Sequence, residues 1–326
     1  MIEQAIKIKQ LQLKNRVVMA PMCMYEADED GMVKDFHVVH YATRAIGGVG
    51  LIIQEATAVE PFGRITSHDL GIWDDKHLEG LKKIVRHVHQ FGAQIGIQLA
   101  HAGRKARQPK AYAPSHIAYD GYDKPIQMTQ DDINRVIQCF QDATRRAHLA
   151  GYDFIEIHAA HGYLIHEFLS PLSNHRQDRY QDGVLFLKEI IEAIQKEWPS
   201  DKALGIRISA EEYVNDGLHP KDLAHIINRV KGLGIDVINV SSGGNINVNI
   251  NAYPGYQLAF AETIKKETGL IVMGGGLIED LKSADQAIQN KQCDMVYLGR
   301  LLLRDPYVVI NQLEVDYPKA YQRGKK

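Results

Sequence analysis

The chain has 326 residues but only three cysteines, Cys23, Cys139 and Cys293, and no two of them share a CxxC spacing. A disulfide framework or a cysteine-held cluster is therefore not expected, and a reducing cytoplasm is the natural compartment. No run of about 18 apolar residues is present that could span a bilayer. The opening MIEQAIKIKQLQLKN alternates polar with apolar and lacks the continuous apolar segment of a signal peptide. There is no long basic run and the formal net charge is -2, which argues against nucleic acid as the main partner. A Ser/Gly linker, a low-complexity tract and a short repeat are missing too, so residues 1–326 read as a single domain.

What is present is an ordinary globular composition, 45% hydrophobic and 24% charged, in a chain long enough for a barrel-sized core. Eight short apolar runs recur: RVVMA, GLIIQEA, AQIGIQLAH, FIEIHAA, LGIRIS, DVINVSS, LIVMGGG and MVYLGR. They are continuous rather than alternating, as parallel strands covered by helices are. Helix-period segments lie between them. Leu78, Leu81, Ile84, Val85 and Val88 form one, and Leu187, Ile190, Ile191, Ile194 and Trp198 a second. A third, Leu223, Ile226, Ile227 and Val230, opens at Pro220, a residue suited to a first helical turn. Eight strands alternating with helices predict an α/β fold, a (β/α)8 TIM barrel. The alternating pairs Ile6/Ile8 and Leu11/Leu13 predict an N-terminal β-hairpin that caps the barrel floor. After strand three, about 25 residues without periodicity form a long loop, and such loops tend to be functional.

Chemistry in such barrels sits at the C-terminal ends of the strands. Those ends carry Pro21, Met22, Cys23 and Tyr25; Glu55 and Ala56; Gln98 and His101; His158 and His161; Arg207; Ser241–Gly244; Gly274–Gly276; and Gly299–Arg300. Either glycine cluster alone reads as a tight turn. Both together, after strands seven and eight with Arg300 beside them, favour a phosphate site. The stretch HAAHGY puts two imidazoles and a phenol on one strand end. No third ligand accompanies His158 and His161, and a catalytic zinc needs three, so no metal is expected. The pair reads either as a structural cluster or, better, as two N–H donors for one oxyanion, with Tyr163 as the acid beside them. Cys23 reads equally as a packing thiol and a site residue, whereas Cys139 and Cys293 read as packing. Lys105, Arg107 and Lys110 read as a solvated loop face, with Arg104 and Lys105 close to the rim.

APMCMY, GLIIQEA, GRIT, GIQLAHAGRKA, HAAHGYLIHEFLSPLSNHR and LGRLLLRDP together resemble the old yellow enzyme family, most closely its cysteine-containing bacterial ene-reductases. The resemblance runs over nearly the whole chain. It implies an FMN-dependent enzyme that takes hydride from NADPH, with NADH as an alternative donor, and reduces electron-poor alkenes. Pro21, Met22, Cys23, Ala56, Gln98 and Arg207 would contact the flavin ring and ribityl chain, and Gly275, Gly276, Gly299 and Arg300 the phosphate. His158 and His161 would hold the oxygen of a small electrophilic substrate, Tyr163 would donate the proton, Cys23 would tune the flavin and Tyr25 would bond ligands. A dienoyl-CoA reductase would add cysteines and a second nucleotide domain, and a tRNA-modifying reductase a basic extension, neither of which is in this chain. A flavin-binding redox sensor, or a reductase of a different acceptor, is the alternative. Two departures stand out: the loop after Tyr180 is several residues shorter than the family's, and the tail YQRGKK replaces an aromatic end with Lys325-Lys326. Arg323 matches an arginine that reaches a neighbouring subunit's active site, implying a homodimer or homotetramer.

Overall fold

Burial divides each apolar strand two ways, although its sequence does not alternate. The computed structural model describes residues 1–325, and Lys326 of the altered tail lies outside them. A hairpin of β1 (Ile6–Ile8) and β2 (Leu11–Leu13) comes first. The predicted eight strands follow as β3 (Val17–Met19), β4 (Leu51–Ala58) and β5 (Gln94–Ala100), and, after a short insertion, β8 (Phe154–Ala159), β9 (Ala203–Ser209), β10 (Val237–Ser241), β11 (Ile271–Gly274) and β12 (Met295–Leu298). All pair in parallel, and β12 returns to β3 to close the barrel. The main helices between the strands are α1 (Asp35–Ile46), α2 (Leu78–Gln90), α3 (Gln130–Ala150), α4 (Leu164–Leu169), α5 (Val184–Gln195), α6 (Pro220–Val230), α7 (Leu258–Thr268) and α8 (Leu281–Gln289). Pro220 does open α6, at its first turn.

Side chains of one parity, such as Ile52, Ile97, Leu99, Ile155 and Ile157, join the core shared with the helices. Those of the other parity, Val18, Leu51, Phe154, Ala203, Val237 and Met295, join Ile8, Leu11 and Leu13 of the hairpin in a separate interior cluster. The hairpin therefore plugs the floor. Phe154 fills much of that interior: a Cβ placed on Gly96 would lie 2.7 Å from its ring, and one on Gly205 2.3 Å. Phe154→Ala should cost about 3–5 kcal/mol of stability, because the rigid barrel walls cannot collapse into the void. Urea denaturation followed by far-UV circular dichroism measures this, and a loss below about 1 kcal/mol would contradict the plug.

The long loop after β5 is more structured than its sequence suggests. It carries a 3-10 turn at Gly103–Lys105, and the strand β6 (Tyr112–Ala113) pairs in parallel with β7 (Ile126–Gln127). Two-residue strands carry no periodicity, which is why this insertion reads as structureless. The shortened loop after Tyr180 is knitted in: Tyr180 is buried and its hydroxyl donates to Glu189 at 2.8 Å.

Candidate active site

The interior parity that builds the floor climbs two residues at a time to the mouth. Above Phe154 and its neighbours, the next inward positions are Gln98, Glu156, Arg207 and Asn239, all buried. Gln98 Nε2 donates to Glu156 Oε1 and Asn239 Nδ2 to Oε2, each at 2.7 Å. Glu156 thus points into the barrel rather than its helical shell, and burial raises its carboxyl against the opposing charge of Arg207. Arg207 lies with its guanidinium 5.2 Å from the Tyr297 ring centroid. Its Nε is buried and meets no acceptor among the described residues. A buried, unspent charged donor at a barrel mouth is an anomaly unless a ligand completes it.

One step higher come the three rings of HAAHGY. The centroids of His158 and His161 are 5.3 Å apart at 88°, and Tyr163 lies 4.9 Å from His158 and 6.5 Å from His161. Burial, and then the Arg207 charge, hold both imidazoles well below their ordinary range, so both are neutral. The Ala160 N–H donates to His158 Nδ1 at 3.3 Å, which assigns the ring proton to Nε2. His161 Nε2 is 2.8 Å from Ser241 Oγ, and that oxygen already accepts from Gln257 Nε2 at 3.3 Å. That oxygen has lone pairs for both partners and a hydrogen to give, and in either tautomer the neutral ring keeps one N–H donor. Two neutral N–H donors result. Burial also raises the Tyr163 phenol well above its ordinary range, with Cys23 and Tyr25 adding to it, so it keeps its proton.

This geometry depends on close backbone approach. His161 has φ 61 and Gly162 φ 69. A Cβ on Gly162 would fall 2.3 Å from the Gly244 carbonyl, and one on Gly244 2.7 Å from the His161 Cα. The strand-four and strand-six loops therefore touch main chain to main chain. Lys105 Nζ donates to the His161 carbonyl at 2.9 Å and to that of Gly244 as well. Lys105 is half-buried and acts as a clamp, not as part of a solvated face, and burial lowers its ammonium to about 8.

The turn after β3 closes another side of the mouth. Pro21, Met22 and Cys23 are half-buried and Tyr25 is exposed, with φ 56. Burial, followed by Asp69 and Glu55, pushes the Cys23 sulfur up, so it is a thiol rather than a thiolate. Glu55 anchors this turn from inside β4. Met24 N donates to its Oε1 at 2.9 Å and the Tyr41 hydroxyl to its Oε2 at 2.7 Å. Desolvation raises Glu55 to about 7 from 4.5. Because the folded state holds that proton more tightly, this site contributes stability below about pH 4.5 that is lost as pH rises through about 7. Glu55→Gln should flatten the melting temperature between pH 5 and 8; an unchanged pH profile in a thermal-melt series would remove Glu55 as the source.

At the far side, a Cβ on Gly275 would lie 2.7 Å from the Tyr297 ring, and Gly276 has φ 96. Gly299 stands before the short helix α9 (Arg300–Arg304), with Met22 Sδ 3.4 Å from the place of its absent Cβ. Arg300 is exposed and forms no ion pair among the described residues. A glycine-lined cradle with an uncommitted cation suits a phosphate, and the free Arg207 donor suits a polar ring edge, so the residues fit FMN.

The profile of the NADH:flavin oxidoreductase / NADH oxidase family matches residues 2–315. The chain belongs to that family. It is a member of the old yellow enzymes, an NAD(P)H-dependent flavin oxidoreductase with FMN as its cofactor. Among curated relatives, an NADPH dehydrogenase of Clostridium acetobutylicum is 48% identical over 336 residues, spanning 99% of each chain. Another, from Geobacillus thermodenitrificans, is 50% identical over 326 residues, spanning 96% of this chain and 95% of its own. The fold matches an old yellow enzyme homologue from Zymomonas mobilis with a TM-score of 0.81 at 24% identity, over 97% of this chain and 99% of that one.

Within this flavoenzyme fold the rim gathers Pro21–Tyr25, Ala56, Gln98, His158, His161, Tyr163, Arg207 and the two glycine turns around one mouth. Arg323 is apart from them. It is exposed in a 3-10 turn, Lys319–Gly324, and this tail borders a surface groove with Glu3, Lys14 and the ends of α1 and α2. Sequence reasoning missed Glu156 and Asn239 as site residues, and placed Glu55 at a strand end without giving it a role. The available signal was polarity at inward positions of otherwise apolar strands, as in LIIQEA and FIEIHA.

Proposed function

We propose that this flavoenzyme takes hydride from NADPH in preference to NADH and reduces the activated C=C bond of α,β-unsaturated carbonyl compounds, with nitro compounds and quinones as further acceptors. The observation that carries this reading is the pair of neutral, perpendicular imidazoles beside a protonated, half-buried phenol. When bound, FMN supplies hydride chemistry, in from the reduced nicotinamide and out to the β-carbon of the alkene. Pro21, Met22, Cys23, Ala56 and Gln98 would hold its ring and ribityl chain, and Gly275, Gly276, Gly299 and Arg300 its phosphate. Arg207 would place its unspent Nε against the ring and favour negative charge there.

His158 and His161 then orient the substrate by its oxygen, where negative charge grows as the β-carbon accepts hydride. Donors fixed in place before that charge develops lower the barrier without reorganising. Tyr163 delivers the proton to the α-carbon. Tyr25 would add a hydrogen bond to the ligand, and Cys23, as a thiol, would tune the cofactor through contact rather than charge. The unpaired thiols fit a reducing cytoplasm.

An anaerobic absorption series tests the whole reading. Flavin bands should bleach with NADPH and return with 2-cyclohexenone. Bleaching without return would move the acceptor elsewhere or make the protein a redox sensor, and no flavin spectrum after incubation with FMN would overturn the reading. The same reading includes a homodimer or homotetramer in which Arg323 reaches a neighbouring mouth, since its own tail lies away from the rim residues. Deleting the last four residues should weaken ligand binding and alter the assembly seen in sedimentation; no change in either would reject that role for Arg323.

A further inference from the structure

The insertion between β5 and α3 holds a second feature that the mechanism does not use. A groove of about 430 Å³ runs along it, walled by Arg104, Arg107, Lys110, Lys124 and Tyr122, with Asp123 the sole carboxylate in its lining. Arg107, Lys110 and Lys124 are exposed, and none forms an ion pair among the described residues. Isolated surface lysines ordinarily face only water. Here, however, four cations converge against one acid, and two of the lining side chains each keep a buried donor without a partner among the described residues, Arg104 Nε and Gln108 Nε2, while the other Arg104 nitrogens donate to Ile117 and Asn245. Buried donors of this kind call for a partner, and beside so many cations an anion is one that would serve.

The groove also has an aromatic wall. The Arg107 guanidinium lies 5.2 Å from the Tyr122 ring centroid, and Tyr119 meets Tyr122 edge-on at 5.5 Å. Aromatic faces of this sort stack on nucleobases, and cations over them add to the attraction. Its inner end leads to the mouth: Lys105 Nζ lies 4.0 Å from the ring centroid of Tyr119, the neighbour of Tyr122, and 5.6 Å from that of Tyr163. In the barrel order β5 stands four strands from β11, so this groove is across the mouth from the glycine cradle.

We propose that the groove binds the phosphate end of NADPH, pyrophosphate and 2′-phosphate, while its nicotinamide ring lies over the mouth between Tyr25 and Tyr163. It rests on the reading that NADPH is the preferred donor, and assigns that preference to Arg107, Lys110 and Lys124. The three side chains are exposed and outside the core, so a triple change to glutamine removes the field and the phosphate contacts, together with the Arg107 contact to Tyr122, without touching core packing.

The test is stopped-flow flavin reduction by NADPH and by NADH, in the FMN-loaded wild type and in the R107Q/K110Q/K124Q variant. The half-saturating NADPH concentration should rise tenfold or more while that of NADH moves less than about threefold. Reoxidation of dithionite-reduced variant by 2-cyclohexenone should keep the wild-type rate. Restoring Arg107 alone should recover part of the NADPH affinity. Equal shifts for both nucleotides, or none for either, would overturn the assignment. A wild type that bleaches equally well with both nucleotides would remove the donor preference itself, and the groove proposal with it.

Discussion

Replacing His158 and His161 together by alanine should abolish binding of phenolic ligands and slow enone reduction by about 10²–10³ for each donor lost. The reason lies in their neutrality. A charged imidazolium would hold an oxyanion strongly in every state and bind inorganic anions as competitors. Burial and Arg207 hold both rings neutral, so in the proposed role their N–H groups would strengthen as negative charge grows on a bound oxygen. Both rings are set by partners outside the substrate, Ala160 for one and Ser241 for the other, so removing one leaves the second still oriented. Single variants should therefore show intermediate affinity. The readout is flavin difference absorption on titration with a phenol, with FMN content checked on the same sample. Undiminished phenol affinity in an FMN-loaded double variant would reject the oxygen-anchor role.

Tyr163→Phe should leave flavin bleaching by NADPH within about twofold and slow its reoxidation by an enone by about 10²–10⁴, the range of a positioned general acid. The split between half-reactions matters more than the size. Hydride transfer from the nicotinamide requires no proton at Tyr163, whereas an alkene is not reduced until its α-carbon is protonated. A quinone takes its protons on oxygen, so quinone turnover by the same variant should largely survive. Rapid-mixing absorbance on each half-reaction decides this, and equal slowing of both would assign Tyr163 to packing against His158 instead.

The barrel was legible because its eight strands are buried on both faces and so read as continuous apolar runs, and because HAAHGY, the glycine turns and Arg207 all end such runs. The hairpin was legible from four alternating residues. What escaped was of another kind. Lys105 reads as solvated because nothing local announces the carbonyls of His161 and Gly244, 56 and 139 residues away. Glu55 sits in a strand whose hydrophobicity hides it, and its partner Tyr41 comes from the preceding helix. The strands β6 and β7 owe their pairing to loop closure rather than to pattern. Periodicity reports which face is dry; it does not report which distant polar atom answers a buried one.

The backbone contact between Gly162 and Gly244 has a bearing on how such a protein can diversify. With no room for a side chain on either residue, substitution at this seam is sterically barred, and the half of the mouth that carries His158 and His161 is held to one backbone geometry. The loop carrying Tyr119 and Tyr122 is under no such restraint and can lengthen, shorten or change charge while the barrel stands. Selection acting on a lineage of these chains would thus find new donors and acceptors on one side of the mouth and a fixed chemistry on the other.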